Sequence, residues 1–197
     1  MATRLAPRIA ALRPGFLAGS TASAEPRARL EGQIPSKLRA LVATAVGESD
    51  KPVTNRFEAR RRAREAADAA VAALRSEGYY GGEVEADVTE ADPPQAVVTV
   101  KPGRRFVISD PVVDWVGDPP AGPVQQAAEA VMGLANGQAG RAADVIAAEG
   151  RIVAAVQKRG YADVVAAPRV VTVDHADSSV HPDYRIQAGD LVRLDGL

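Results

Sequence analysis

Two stretches that echo each other decide the fold: ALRSEGYYGGEVEADV, Ala73 to Val88, and AVQKRGYADVVAAPRV, Ala155 to Val170. Gly78-Tyr79 in the first falls on Gly160-Tyr161 in the second, 82 residues later (160 − 78). A second echo joins Arg29-Leu30-Glu31-Gly32 to Arg193-Leu194-Asp195-Gly196, 164 residues apart (193 − 29), twice the first interval. Two landmarks sharing one period mark a repeat architecture. The middle copy of the opening strand is expected near residue 111, where Pro111 to Gly117 reads PVVDWVG, a β-branched run ending in glycine. The pattern is two complete units and the first strand of a third.

Each unit has the same internal order. In the first, Leu38, Leu41, Val42 and Ala45 recur at i, i+3, i+4 and i+7, the stripe of an amphipathic helix. Pro35 and Ser36 start that helix and Gly47 stops it. After the polar loop GESDKPVT a second helix opens at Asn55, with Glu58 three residues on, and ends at Gly78, a residue suited to the left-handed position after a helix. Its buried stripe is expected to hold Phe57, Ala63, Ala67, Val71 and Leu74. EVEADVTE and AVVTVKPG then alternate with period two and are joined by ADPPQ, a hairpin with Val84, Ala86 and Val88 inward and the acidic residues outward. Pro102-Gly103 turns the chain into the next unit.

The second unit repeats this grammar. Val124, Ala128, Val131 and Leu134 mark its first helix, ended by Asn136-Gly137; Val145, Ile152 and Val156 mark the next, which stops at Gly160. VVAAPRVVTV and VHPDYRIQAG follow, joined by DHADSS, and Ala188-Gly189 leads into VRLDGL. The order is β-α-α-β-β twice. This predicts an α+β fold of two tandem units, each a three-stranded mixed sheet covered on one face by two helices and largely solvated on the other. The units are placed at residues 25–103 and 104–189, with 190–197 as the first strand of a truncated third. The short junctions predict a semi-rigid rod rather than beads on a loose string. Residues 1–24 carry Arg4 and Arg8, a modest apolar run and the small-x-small Ala22-Ser23-Ala24, although Arg13 and Pro14 interrupt the apolar centre. They read as a signal peptide or a disordered leader.

Composition narrows function by exclusion. A formal charge of −1 gives no global argument for nucleic acid or an anionic membrane, and the absence of cysteine removes disulfides, thiolate metal sites and cysteine nucleophiles. No stretch approaches eighteen apolar residues. Asp174, His175, Asp177, His181 and Asp183 include metal-ligand types, but their spacing fits no known pairing, so they read as a hairpin loop. NGQAGR lacks the Lys-Ser/Thr of a phosphate loop, and no serine sits in G-x-S-x-G. Neither a metal nor a cofactor is expected, and no enzyme. Arg60, Arg61, Arg62 and Arg64 interleave with Glu58, Glu65 and Asp68, which predicts a solvated helix face still able to meet an acidic partner. Tyr79, Tyr80 and Tyr161 are expected to lock helix ends onto the sheets with their hydroxyls wet. Trp115 is expected at a unit boundary.

A unit of this size and order, with a helix ending in GYY or GYA and a strand closing on PG or AG, resembles the POTRA (polypeptide-transport-associated) domain that precedes outer-membrane β-barrels of the Omp85 superfamily. LRSEGYYGGEVEADV with VTVKPGRRFVI is most similar to the first POTRA unit of the TamA family, the outer-membrane part of the translocation and assembly module; QKRGYADVVAAPRVVTVDHADSSV is similar to its second. Gly78, Tyr79, Tyr80, Pro102, Gly103, Gly160, Tyr161 and Gly189 carry the resemblance. It implies a periplasmic scaffold associated with the outer membrane. That scaffold would hand unfolded outer-membrane or autotransporter clients toward a C-terminal barrel that this chain lacks, alongside a TamB-like inner-membrane-anchored partner. An arm of a BamA-like subunit or of a two-partner secretion transporter is a related alternative. A free-standing enzyme or ligand-binding protein with a duplicated α/β unit is an alternative of another class. In the family topology the strand after the second helix lies at the sheet edge, where an extended peptide can pair. Val84, Ala86 and Val88 in the first unit and Val164, Val165 and Val170 in the second are the expected contact residues.

Overall fold

The computed structural model describes residues 25–192; the leader at 1–24 and the third echo at 193–196 lie outside the described residues. In chain order the elements of the first half are β1 (Glu25–Pro26), β2 (Arg29–Glu31), α1 (Ser36–Val46), β3 (Glu48–Ser49), α2 (Arg56–Ser76), β4 (Glu83–Val88) and β5 (Ala96–Lys101). The last strand, β5, is central, parallel to β2 and antiparallel to β4, so the sheet is three-stranded and mixed. Asn55 caps α2 by accepting from the Glu58 N–H at 2.9 Å, as its sequence position foretells. Leu38, Val42 and Val46 of α1 and Ala63, Ala66, Ala70 and Leu74 of α2 enclose Ala96, Val98 and Val100 of β5 in one core cluster. The small alanines along α2 let the helix backbone approach the sheet closely, while buried Leu74 contributes about 2 kcal/mol.

The second half runs β6 (Val107–Ile108), β7 (Val112–Trp115), α3 (Gly122–Val131), α4 (Ala142–Gln157), β8 (Val165–Ala166), β9 (Val170–Asp174) and β10 (Ser179–Gln187). Again the last strand is central: β6 and β7 flank it in parallel on one side, β8 and β9 antiparallel on the other. This is the same three-stranded sheet with its two outer strands each broken. Pro182 explains one break. Even-numbered residues of β10 face the first strand, since the carbonyls of Val180 and Ile186 accept from the Ser109 and Val116 N–H groups. Pro182 has no N–H to offer there. Opposite it the partner strand bulges through Ser109, Asp110 and Pro111, with Asp110 at φ +44. Its core cluster is separate from the first and holds Val124, Ala128, Val145, Ala148, Ile152, Val156, Tyr184 and Ile186 among others.

The duplication reaches individual side chains. Gly78 and Gly160 both follow the second helix with positive φ, +90 and +96. With these aligned, the buried stripes Ala63, Ala66, Ala70, Leu74 and Val145, Ala148, Ile152, Val156 coincide residue for residue. Aligned instead on Gly47 and Gly133, an offset of 86 (133 − 47), Leu38, Val42 and Val46 coincide with Val124, Ala128 and Met132.

Several expectations are corrected. The stripe of α2 runs through Ala59 and Ala66 rather than Phe57, which is 80% exposed because it lies about 200° around the helix from Ala59. Ala67 and Val71 are only half-buried. Leu41 and Ala45 are exposed, and Val46 takes the buried position in α1. The first helix of the second half ends before Gly133, which matches Gly47, and not at Asn136-Gly137; Leu134 lies beyond it and Val131 is exposed. The NGQAGR segment is the turn between α3 and α4 and is bonded to β6 and its flank: the Gly137 N–H donates to the Ile108 carbonyl, the Ile108 N–H to the Gln138 carbonyl and the Gly140 N–H to the Phe106 carbonyl. The outer face of the first sheet is not wholly solvated: Val97 is buried there, between Arg29 and Asp87 on its neighbouring strands. In β4, Val84 packs against the core, but Ala86 is exposed.

Candidate functional site

Among the described residues β4 pairs with β5 alone, so it is an edge strand. Its antiparallel ladder fixes which backbone groups are free. The Thr89 N–H donates to Gln95 at 3.0 Å, which puts the odd-numbered residues of β4 in bonds to β5. Val84, Ala86 and Val88 therefore turn both N–H and C=O outward. One of these donors is masked: the Val88 N–H donates to the Asp87 carboxylate at 2.7 Å, a local device that blunts the edge. Ala86 lies between, exposed in side chain and backbone.

In the second half the strand after α4 is also at the edge, since β8 and β9 pair with β10. It is interrupted at Pro168, which leaves two residues in β8 and five in β9. Val165 and Val170 are 59% and 51% exposed. Val164 is not at the edge: it is buried in the second core, because its side chain follows Tyr161 inward at the end of the helix turn. This edge is shorter and more apolar than β4.

Gly78, Tyr79 and Tyr80 lie at the junction between the halves, and Gly160, Tyr161 and Gly189 at the corresponding far end of the second half. Tyr79 packs on the first core with Arg105 over its ring at 5.5 Å, whereas Tyr80 packs on the second core, edge-on to Phe106 at 5.5 Å. The tyrosine hydroxyls are not all wet. Tyr80 donates to the Gly140 carbonyl at 3.3 Å, and Tyr161 accepts from the Ala121 N–H at 3.2 Å. Burial raises the Tyr80 pKa. The Phe106 N–H donates to the Gly78 carbonyl at 2.8 Å, and Glu77 takes Arg105 at 2.9 Å and Arg141 at 3.2 Å. Pro102 is buried and Gly103 has φ +70, matching Gly189 at +73. At the far end the Val192 N–H donates to the Gly160 carbonyl at 2.9 Å, repeating the Phe106 bond. Trp115 is partly buried and packs on the second core, paired with Ile186 of β10.

A groove of about 240 Å³ lies between α2 and the edge strand, lined by Arg56, Arg60, Ala63, Arg64, Ala86, Asp87, Val88 and Glu90. Arg61 and Arg62 are paired along the helix with Glu65 and Glu58, each at 2.8 Å, as the interleaved charges foretell. Bonding to Arg62 holds the Glu58 carboxyl below its ordinary range. Arg56 is held by Glu90 in a fork at 2.6 and 2.8 Å, which lowers the Glu90 pKa and raises that of Arg56. Arg60 and Arg64 have no carboxylate partner among the described residues. The expected pairing thus holds for Arg61 and Arg62 alone, whereas the solvated face holds for Arg60, Arg61 and Arg64 and fails at Arg62, which is buried. The missed signal was present: the fourth residue after Arg56 and after Arg60 is another arginine, not an acid. A second groove of about 400 Å³ between α3 and α4 has an alanine floor rimmed by Arg151, Lys158 and Arg159. Asp174 and Asp177 are engaged by the Ala176 N–H and the Ser179 hydroxyl of their own turn. Among the described residues no three of His, Asp or Glu are grouped to hold a metal, and no helix is long and apolar enough to cross a membrane.

The class is thus set by architecture: a tandem of β-α-α-β-β modules, each with its closing strand central and its post-helical strand at the edge. In sequence, residues 27–102, the first of these modules, match the family model for the POTRA domain, TamA domain 1. Solved structures similar to the chain include BamA POTRA3-5 of Haemophilus influenzae, 16% identical over 92% of this chain and 75% of that one, with a TM-score of 0.46. POTRA1-2 of the periplasmic domain of Omp85 from Anabaena is 16% identical over 86% of this chain and 98% of that one, at 0.47. POTRA1-3 of that domain is 15% identical over 80% and 58%, at 0.48. No curated protein matches the chain in sequence.

Proposed function

We propose that this chain is the non-enzymatic periplasmic arm of an outer-membrane protein assembly factor, made of POTRA units at 25–103 and 104–189 and entering a further unit at 190. Its task is to hold extended segments of unfolded clients by adding them as a strand to the sheet edge. The finer reading is a TamA-like arm, with autotransporter clients, a TamB-like partner and a C-terminal barrel beyond the present sequence. The observation that carries the proposal is β4: a six-residue edge strand, in the module that matches the TamA POTRA model, with the backbone of Val84 and Ala86 turned outward. Main-chain pairing suits such a task because it asks for extended conformation more than for sequence.

Hydrogen exchange tests it. An extended client peptide is expected to slow exchange at the Val84 and Ala86 amides, and more weakly in β9. Unchanged exchange in both edges at saturating peptide overturns the proposal.

A further inference from the structure

The edge strand is not chemically neutral. Arg56, Arg60 and Arg64 project from α2 along the groove beside it, four residues apart, hence about 6 Å apart along the helix. Side chains on one face of an added strand repeat every two residues, about 6.8 Å. Over three positions the two ladders stay in step to within about 2 Å. Each guanidinium offers a planar fork that matches a carboxylate. One carboxylate of this chain already shows that chemistry, since Glu90 grips Arg56 at the groove mouth with both oxygens. Arg60 and Arg64 are exposed and open to a second and a third. The opposite side of the groove supplies Ala86 and Val88, small enough to leave room for an incoming side chain.

The second half lacks this feature. With Gly78 on Gly160, Arg60 falls on Ala142 and Arg64 on Ile146, which is 55% exposed, and the edge beside it carries exposed Val165. The same scaffold therefore presents a cationic edge in one module and an apolar edge in the other.

We propose that the first module selects extended polypeptide segments bearing carboxylates on alternate residues, which enter the Arg56, Arg60 and Arg64 groove while the backbone pairs with β4. This rests on the edge-pairing reading above and adds the chemistry of the occupant. The test uses three peptides of one length: two of identical composition, with glutamates at alternate positions or spaced by three so that successive ones point to opposite faces, and a third with lysines in place of the alternate glutamates. Binding to the chain is followed by fluorescence anisotropy, with hydrogen exchange of β4 recorded in parallel. The alternate-glutamate peptide is expected to bind about tenfold more tightly than the spaced one, a preference that fades as salt rises. The Arg60→Gln, Arg64→Gln double variant is expected to lose that preference while keeping its melting temperature, both side chains being exposed and unpaired. Equal binding of all three peptides with β4 protected overturns the carboxylate selection and leaves edge pairing standing. No protection of β4 by any peptide overturns both. Competition by heparin or anionic vesicles that ignores glutamate spacing also overturns it, since the arginines then act as a general anion surface.

Discussion

Replacing Gly78 by alanine strikes the point where the two modules meet. Gly78 has φ +90, a conformation that costs an L-residue about 1–2 kcal/mol. A Cβ there would stand 3.1 Å from the Gly140 carbonyl oxygen and 3.3 Å from its carbon, both backbone atoms of the second module that cannot rotate away. Relief requires the modules to part, which strains the Phe106 N–H bond to the Gly78 carbonyl, worth about 1 kcal/mol. The expected loss is about 2–3 kcal/mol. Gly47 is the control, with φ +73 and no atom within 4 Å of the added carbon, so its alanine variant bears only the conformational cost of about 1 kcal/mol. Urea unfolding read by circular dichroism and by the fluorescence of Trp115, the sole tryptophan, gives both values. Trp115 packs on the second core, so a Gly78→Ala shift in its transition reports the junction directly. Equal losses for the two variants, or an unchanged Trp115 transition, refute the reasoning.

Other consequences follow from the same contacts. Ala86→Pro is expected to cost under about 1 kcal/mol, because its N–H faces outward, yet to abolish peptide binding; Glu85→Pro, which removes a ladder donor, should cost about 3 kcal/mol, and thermal melts separate the two. Asp87→Ala frees the Val88 N–H, and light scattering should show more self-association than in the parent chain. Burial pushes the pKa of the fully buried Tyr184, which donates to the Val145 carbonyl at 2.8 Å, up to about 12. The folded chain thus keeps a proton that the unfolded chain releases near pH 10. Stability present below pH 10 is lost between pH 10 and 12, by up to about 1.4 kcal/mol per pH unit, and Tyr184→Phe should flatten that part of the curve in urea titrations. Glu77→Gln weakens the hold on Arg105 and Arg141 and should cost about 1 kcal/mol, both pairs being partly exposed.

The element order was legible because periodicity and glycine placement are local signals. Asn55, Gly47, Gly78 and Gly160 mark helix ends by chemistry that acts within a few residues. The edge role of β4 came from family topology, since no local pattern tells an edge strand from a central one. The exact buried face of α2 was missed because a helix with alanine at eight of its positions has a weak apolar stripe, and Phe57 drew the reading toward the wrong side. The end of α3 was missed because Met132-Gly133 and Asn136-Gly137 are both acceptable stops, and only the packing of Met132 in the core chooses between them. The break in the second sheet depends on Pro182 meeting Asp110 across 72 residues of sequence (182 − 110), which no window shows. The arginine groove needed both the helix phase and the neighbouring strand, although the four-residue spacing was visible in the chain itself.

The most direct measurement is a nuclear Overhauser experiment on isotopically labelled chain with an unlabelled extended acidic peptide. If clients are taken up as an added strand, cross-strand contacts should join the peptide backbone to the amides and α-protons of Val84 and Ala86, in a regular two-residue repeat. A saturated complex whose contacts fall elsewhere, with β4 still bare, contradicts the account.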